Sequence, residues 1–409
     1  MSTTARAHGM DGTLVEPDWL PLDLAEVRAL LSLYPGLGEP VEILSVSPRP
    51  FSAASVVATH GARIFIKRHH RTVRDREGLL EEHRFMAHLL AHGAAVPSVF
   101  RATSGETAIE RRQWTYEVHE APEGVDLYGD ALSWTPFRTA AHAHSAGQAL
   151  ARLHCASEGF VAPRRKPRPL VASFTIFATR DPRTELERYL AARPALMRFL
   201  GTRSCCEEAL DLLAPFHAQL LPLLPALAPL WTHNDLHASN ILWNDAGDDA
   251  EAKAIIDFGL ADRTNAVHDL AHAIERNIVE WLALAEGKQG SGIRDQGSEC
   301  VETGAENVPV HLDHLSALLG GYESVRPLSA EEAAALAPMT ALCHAEFALS
   351  ETDYFVSVLH REDQAPMACE GWLVGHARWF RGAGGEKLLD ALRQWAADRT
   401  RKSHGDPHR

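Results

Sequence analysis

The sequence predicts an α+β protein of two lobes, a small β-rich N-lobe followed by a larger helical C-lobe. Three observations carry this. The chain has 409 residues, too many for one ordinary core and suited to two packed units. Up to about residue 120 the apolar residues mostly alternate, the period of half-buried strands, with one main helix among them. Beyond that point the spacing turns helical, apart from a short β section over residues 231–257.

Taken in order, residues 1–20 read as a loose arm, 21–120 as the N-lobe, 121–401 as the C-lobe and 402–409 as a frayed tail. Pro21–Leu31 has helical spacing and Val41–Ser47 alternates as a strand. Past the loop Pro48–Ser55, Val56–Thr59 and Ile64–Lys67 form strands around the turn His60-Gly61-Ala62. Leu79–His92 is a helix with Leu79, Phe85, Met86, Leu89 and Leu90 mostly on one side, ended by Gly93; Trp114–His119 is a further strand. In the C-lobe, His144–Ser157, Glu185–Ala192 and Cys206–Leu213 are helical, the last two each followed by a proline. The apolar run Leu220–Leu230 is broken by Pro222, Pro225 and Pro229 and reads as a buried linker. Helices return at Asp269–Ala285, Val310–Tyr322, Ala330–Glu351 and Ala391–Arg401, with Tyr354–Phe380 continuing the pattern. Glu286–Val308, rich in Gly, Ser and acids, reads as a mobile loop.

Composition narrows the function. Hydrophobic residues make up 45% and charged residues 23% of the chain, the balance of a folded globular protein. Lys+Arg number 40 against 54 Asp+Glu, a net charge of −14, which argues against nucleic acid and anionic membrane as partners. The acidic balance suits a cationic substrate, and equally serves solubility alone. Six scattered cysteines with no C-x-x-C pair fit a reducing cytoplasm. The first 19 residues carry no signal-peptide core, and no stretch approaches the length of a membrane span.

The informative segment is Trp231–Trp243, in which His233, Asp235 and Asn240 form H-x-D-x-x-x-x-N. Asp257 follows inside Ala254-Ile-Ile-Asp257-Phe-Gly-Leu260. Apolar fragments Ile241–Trp243 and Ala254–Ile256 flank a polar turn, Asn244–Asp249, so a hairpin brings Asn240 beside Asp257. Phosphoryl transfer from ATP asks for charge neutralisation and alignment more than covalent help. A carboxylate and an amide oxygen suit Mg²⁺, which prefers hard oxygen ligands. A second carboxylate, Asp235, can orient an acceptor hydroxyl and take its proton.

At these residues the chain resembles the aminoglycoside phosphotransferase and choline kinase family, relatives of the protein kinases. The resemblance implies a protein-kinase-like fold with ATP between the lobes. It implies Mg²⁺-dependent transfer of the γ-phosphate to a hydroxyl of a small molecule: an aminoglycoside, an amino alcohol or a sugar-like metabolite. Carried over, Asp235 is the catalytic base, Asn240 and Asp257 hold Mg²⁺, and His233 holds the loop. His237 stands where serine/threonine protein kinases usually have Lys, as in the small-molecule branch. Lys67 matches the ATP-phosphate lysine and Glu82 the helix glutamate that holds it, with Glu81 as the neighbouring alternative. Ala95-Val-Pro97 also fits the family. Tyr116–Ala121 resembles the hinge strand whose backbone binds adenine, which places Glu117, Val118 and His119 there. Ala146–His154 resembles the first large C-lobe helix. Asp269 matches an acid that supports the active-site loops. The acids Glu346, Glu351 and Asp353 lie in a region where the family's acids often meet substrate amino groups, and Glu346 and Asp353, two turns apart, fall on one helical face. The likeness covers roughly Val41–Leu284. One departure is the loop Ser47–Ser55, which has no glycine; Ser52 and its small neighbours present backbone N–H groups to phosphate less freely.

Other readings stand beside this one. The same fold serves protein Ser/Thr kinases and catalytically silent nucleotide-binding proteins. His233-x-Asp235-x-His237 can be read as metal ligands of a hydrolase, which leaves Asn240, Asp257 and Lys67 without roles. Trp281, Trp372 and Trp379 can line an acceptor cleft, with buried core the better assignment for most of them.

Overall fold

A computed structural model describes residues 7–8, 14–283 and 308–404. The loop expected over Glu286–Val308 falls outside them except for Val308, as do residues 1–6, 9–13 and 405–409 of the expected arm and tail.

A short ribbon pairs β1 (Ala7–His8) with β2 (Leu14–Val15). Five strands then make an antiparallel sheet: β3 (Pro40–Val46), β4 (Ala53–Thr59), β5 (Arg63–His70), β6 (Ala108–Arg111) and β7 (Trp114–Glu120), in the order β3-β4-β5-β7-β6. Strand alternation gives this sheet two unlike faces. Ile64 and Ile66 of β5 join Val57, Tyr116 and Val118 in an apolar core closed by Val27, Leu30 and Leu31 of α1 (Leu24–Leu31). The opposite face carries Lys67, His69, Glu117 and His119 and is met by α2 (Arg76–Ala91). Each helix starts on an aspartate cap. Asp23 accepts from Glu26 N at 2.7 Å and Asp75 from Gly78 N at 2.8 Å. On α2, Leu79, Phe85, Met86 and Leu89 are buried, whereas Leu90 is exposed.

The C-lobe holds α3 (Ala140–Ser157), α4 (Pro182–Ala191), α5 (Pro194–Leu200), α6 (Cys205–Leu220), α7 (Ala266–Ile278) and the helices from Leu312 onward. α3 and Leu312–Glu323 pack at backbone contact. A Cβ on Gly147 would come 2.1 Å from Leu318 O, and one on Gly321 1.9 Å from His144 O, so only glycine fits either place. Among the described residues, no helix is long and apolar enough to cross a membrane.

Several expected boundaries move. α3 begins at Ala140, where Thr139 Oγ1 accepts from His142 N at 3.1 Å. α6 runs through Pro215 to Leu220; the carbonyl that Pro215 leaves without an N–H is that of Asp211, an exposed residue that water can satisfy. The run after Leu220 is not a buried linker: from 221 to 230 only Leu227 is buried, and the rest are exposed or half-buried. The helix expected over Ala330–Glu351 breaks at Cys343 into Ala330–Leu342 and His344–Asp353, then continues as a π-helical segment, Tyr354–Leu359.

Candidate active site

Four short strands hold the site. β8 (Pro229–Thr232) pairs with β11 (Asp262–Asn265), and β9 (Ile241–Trp243) with β10 (Ala252–Ile255). The second pair is the hairpin anticipated from the sequence. Ile256 N donates to Asn240 O at 2.9 Å, which draws Asn240 and Asp257 together.

The loop after β8 is fixed from behind by Asp269 of α7. Its buried carboxylate accepts from His233 N at 2.8 Å, Asn234 N at 2.7 Å and His154 Nε2 at 3.0 Å. These bonds hold Asn234 at φ +61°, a left-handed backbone that L residues seldom adopt. Both ring nitrogens of His233 are engaged. Its Nε2 donates to Ile256 O at 3.0 Å and its Nδ1 accepts from Asp235 N at 3.2 Å. Among the described residues His233, Asp235 and His237 do not gather as metal ligands.

Asp235, Asn240 and Asp257 line one cavity between the lobes, together with Lys67 and Ser52. Lys67 Nζ lies 2.7 Å from Asp257 Oδ1, one of several contacts that join the two lobes. Burial works against both charges. For Lys67 the neighbouring Asp257, Glu117 and Glu82 outweigh it and push the ammonium above its ordinary range. For Asp257 the lysine holds the carboxyl far below its ordinary range. Asp257 Oδ1 also accepts from Gly259 N at 3.3 Å, and Asn240 Nδ2 is committed to Asp235 O at 2.9 Å. Asp257 Oδ2 and the Asn240 amide oxygen are thus the atoms left to a cation. Both are hard oxygen donors, the type Mg²⁺ takes, so this donor set fits one.

Residues 49–296 match the model of the phosphotransferase enzyme family. The chain belongs to that family. Among solved structures it is similar to the microcompartment-associated aminopropanol kinase at 15% identity, with 88% of this chain and 99% of that one covered and a TM-score of 0.55. It is similar to an aminoglycoside phosphotransferase from Alicyclobacillus acidocaldarius at 16% identity over 93% of this chain and 98% of that one, TM-score 0.48. A third is the amicoumacin kinase hAmiN in complex with AMP-PNP, Ca²⁺ and Ami, at 14% identity over 84% and 93%, TM-score 0.49. A search of curated proteins found no match. The fold is protein-kinase-like, with the strand-rich and helical lobes described above.

Several side chains of the phosphotransferase are placed otherwise than expected. Glu82 accepts from Arg165 Nη2 at 3.3 Å instead of bonding Lys67, whose ammonium is drawn to Asp257. Glu117, Val118 and His119 lie inside β7 and pair with Lys67, Ile66 and Phe65 of β5. On the other edge Val118 O accepts from Phe100 N at 2.8 Å. Their backbone belongs to the sheet, and the chain leaves it only past Glu120. Glu346 is buried and accepts from Ile176 N at 2.7 Å and from Thr175 N and Oγ1. Asp353 is buried beside Arg193, 3.7 Å from its Nε. Neither lines the cavity. Trp281 and Trp379 are core, and so is Trp372. The glycine-free loop is anchored to the C-lobe: Arg49 donates to Ser133 Oγ and Ala131 O, each at 3.1 Å, and Phe51 meets the Tyr354 ring edge-on.

Two cavity residues, Arg276 and Trp134, had not been singled out for the site, and a third, Glu351, had been passed over for its neighbours Glu346 and Asp353. Arg276 of α7 ion-pairs with Asp235 Oδ1 and lies over the Phe347 ring, 4.6 Å from its centroid. Its spacing of seven from Asp269 could have found it, since two helical turns return to one face. Glu351 is 1% exposed, and its Oε2 has no hydrogen-bond partner among the described residues. Five positions from Glu346, it points about 140° round the helix. Trp134 packs edge-on to Trp372 in a segment with no periodicity to read.

Proposed function

We propose that this phosphotransferase moves the γ-phosphate of ATP, with Mg²⁺, onto a hydroxyl of a small amine-bearing molecule such as an amino alcohol or an aminoglycoside. The observation that carries the reading is the Lys67–Asp257 contact at 2.7 Å, in a cavity also lined by Asp235 and Asn240. Lys67 binds the α/β-phosphates from the N-lobe. Asp257 Oδ2 and the Asn240 amide oxygen hold Mg²⁺, which supplies charge neutralisation at the phosphates when bound. Asp235 orients the acceptor hydroxyl and takes its proton. Arg276 positions that carboxylate through Oδ1, while Oδ2 stays beside Asn240 Nδ2 at 3.3 Å. The apolar walls Phe51, Trp134, Leu260 and Phe347 exclude water from the transfer. Glu351 favours an amine on the acceptor. Its carboxyl is pushed well above the ordinary range by burial, with Arg276 only partly opposing, and an ammonium would satisfy its unpartnered oxygen.

The test is ADP release by the purified protein over amino alcohols, beginning with aminopropanol, then aminoglycosides, amino sugars, amine-free sugars and a generic Ser/Thr protein substrate. Turnover confined to amine-bearing alcohols supports the proposal; turnover on the protein substrate alone overturns it. The pH profile supplies a second check. Burial raises the Asp235 carboxyl, with Arg276 the first opposing influence. Its base form is present above that raised value and lost as pH falls through it. The acid limb of kcat/KM therefore lies above the ordinary aspartate value of about 3.9. Arg276→Met removes the opposing cation and moves that limb to higher pH; an unmoved limb contradicts the pairing.

A further inference from the structure

The polar face of the N-lobe sheet holds a second cluster that phosphoryl transfer leaves largely unused. His69 on β5, His83 on α2, and Glu117 and His119 on β7 converge there, and none is more than 7% exposed. Glu117 Oε1 lies 2.9 Å from His69 Nε2. Its Oε2 lies 2.8 Å from both His83 Nε2 and His119 Nε2. The ligand atoms of His83, Glu117 and His119 all fall within 4.8 Å of one another.

Strand alternation alone does not account for this. The facing side of the same sheet is filled by Ile64, Ile66 and Val118, and burying polar and charged groups costs free energy that apolar side chains avoid. Two imidazoles converging on one carboxylate oxygen are nitrogen and oxygen ligands of the kind a Zn²⁺ ion takes. Bonds of about 2.0–2.2 Å set tetrahedral ligand atoms about 3.3 Å apart, so the two 2.8 Å contacts to Oε2 need open by only about 0.5 Å to admit an ion. His69 stands outside this trio and bonds the other carboxylate oxygen, Oε1, which fixes the orientation of the Glu117 carboxylate. An outer partner is in place as well: Thr107 Oγ1 lies 2.9 Å from His83 Nδ1, where it can take that N–H and leave Nε2 as the ligand.

We infer that His83, Glu117 and His119 form a buried N-lobe site for one Zn²⁺-class cation, separate from the catalytic cation site, with His69 holding the Glu117 carboxylate from its other oxygen. Its three protein ligands are all buried, so the ion is structural, and it ties α2 to β7. It also reaches the catalytic cavity indirectly, because His69 lines that cavity and Glu117 stands opposite Lys67 in register.

The experiment strips the full chain with chelator and titrates it with Co²⁺ in the absence of nucleotide. One equivalent with the strong visible absorption of four-coordinate, nitrogen-bound Co²⁺ is expected, displaced by Zn²⁺. Asp257→Asn, which removes a ligand of the catalytic cation, retains that signal. His83→Gln and His119→Gln lose more affinity than the about 10–100-fold that loss of an outer-shell partner costs, and Zn²⁺ no longer raises their Tm. Should a histidine variant fail to fold, the wild type and Asp257→Asn decide the matter. A wild-type chain that takes up no Co²⁺, or shows only a weak octahedral spectrum that Asp257→Asn abolishes, overturns the inference and leaves a hydrogen-bonded histidine cluster.

Discussion

Asp235→Asn is expected to lower kcat by about 10²–10⁴-fold, the usual worth of a positioned general base, with nucleotide affinity little changed. Amide for carboxylate keeps the volume and removes the proton acceptor. Asp235→Ala abolishes transfer as well, but it also strands Arg276, whose side chain is 3% exposed. Removing one partner of a buried ion pair costs about 3–5 kcal/mol, so the alanine variant also melts lower than the asparagine variant. The double variant Asp235→Ala/Arg276→Met separates the two effects. It regains thermal stability, because no unpaired charge is left inside, and it stays inactive, because the base is gone. Steady-state ADP release, nucleotide titration and thermal unfolding on the four proteins check this. An Asp235→Asn enzyme within tenfold of wild type removes the base assignment; a double variant no more stable than Asp235→Ala removes the account of Arg276.

The parts of the site visible in the sequence are those fixed by local chain geometry. The hairpin between Asn240 and Asp257 follows from two apolar fragments around a polar turn, and it forms with Ile241 opposite Ile255. Lys67 is readable because alternation along β5 sets it on the face opposite Ile64 and Ile66. What could not be read depends on which partner arrives from elsewhere in the chain. Glu82 meets Arg165, which lies in a stretch between α3 and α4 without helix or strand. Helical phase identifies residues that share a face but not what that face meets. Glu346 and Asp353 do share one, yet it turns to Thr175 and Arg193, and Glu351 holds the side toward the cavity. The same limit applies at Tyr116–Ala121: it forms the predicted strand, with its backbone paired in the sheet, but the cluster of Glu117 and His119 with His69 and His83 is one that no local pattern foretells.

Asp269 touches no reacting atom in this account, yet its loss is expected to be as damaging as that of the base. Its carboxylate is 0% exposed and holds three donors: the backbone N–H groups of His233 and Asn234, and His154. Asp269→Ala leaves both loop amides and the buried imidazole without their acceptor, and each buried donor left unpaired costs about 1–3 kcal/mol. The loop then has nothing to keep Asn234 in its left-handed conformation or Asp235 aimed at the acceptor, and activity goes with it. Burial raises the Asp269 carboxyl, but the His154 bond and the backbone donors outweigh it and hold the group below its ordinary range. A depressed folded value fixes the sign. The stabilisation is complete above the unfolded value of about 3.9 and drains away as pH falls from there through the folded value. The gap in urea midpoint between wild type and Asp269→Ala should therefore be wide at pH 7 and narrow below about pH 4. Asp269→Asn, with one acceptor oxygen kept, should fall between them at pH 7 and show less of that pH dependence. A gap of constant width through the acid range would mean that the loop is held by packing and not by an ionised carboxylate.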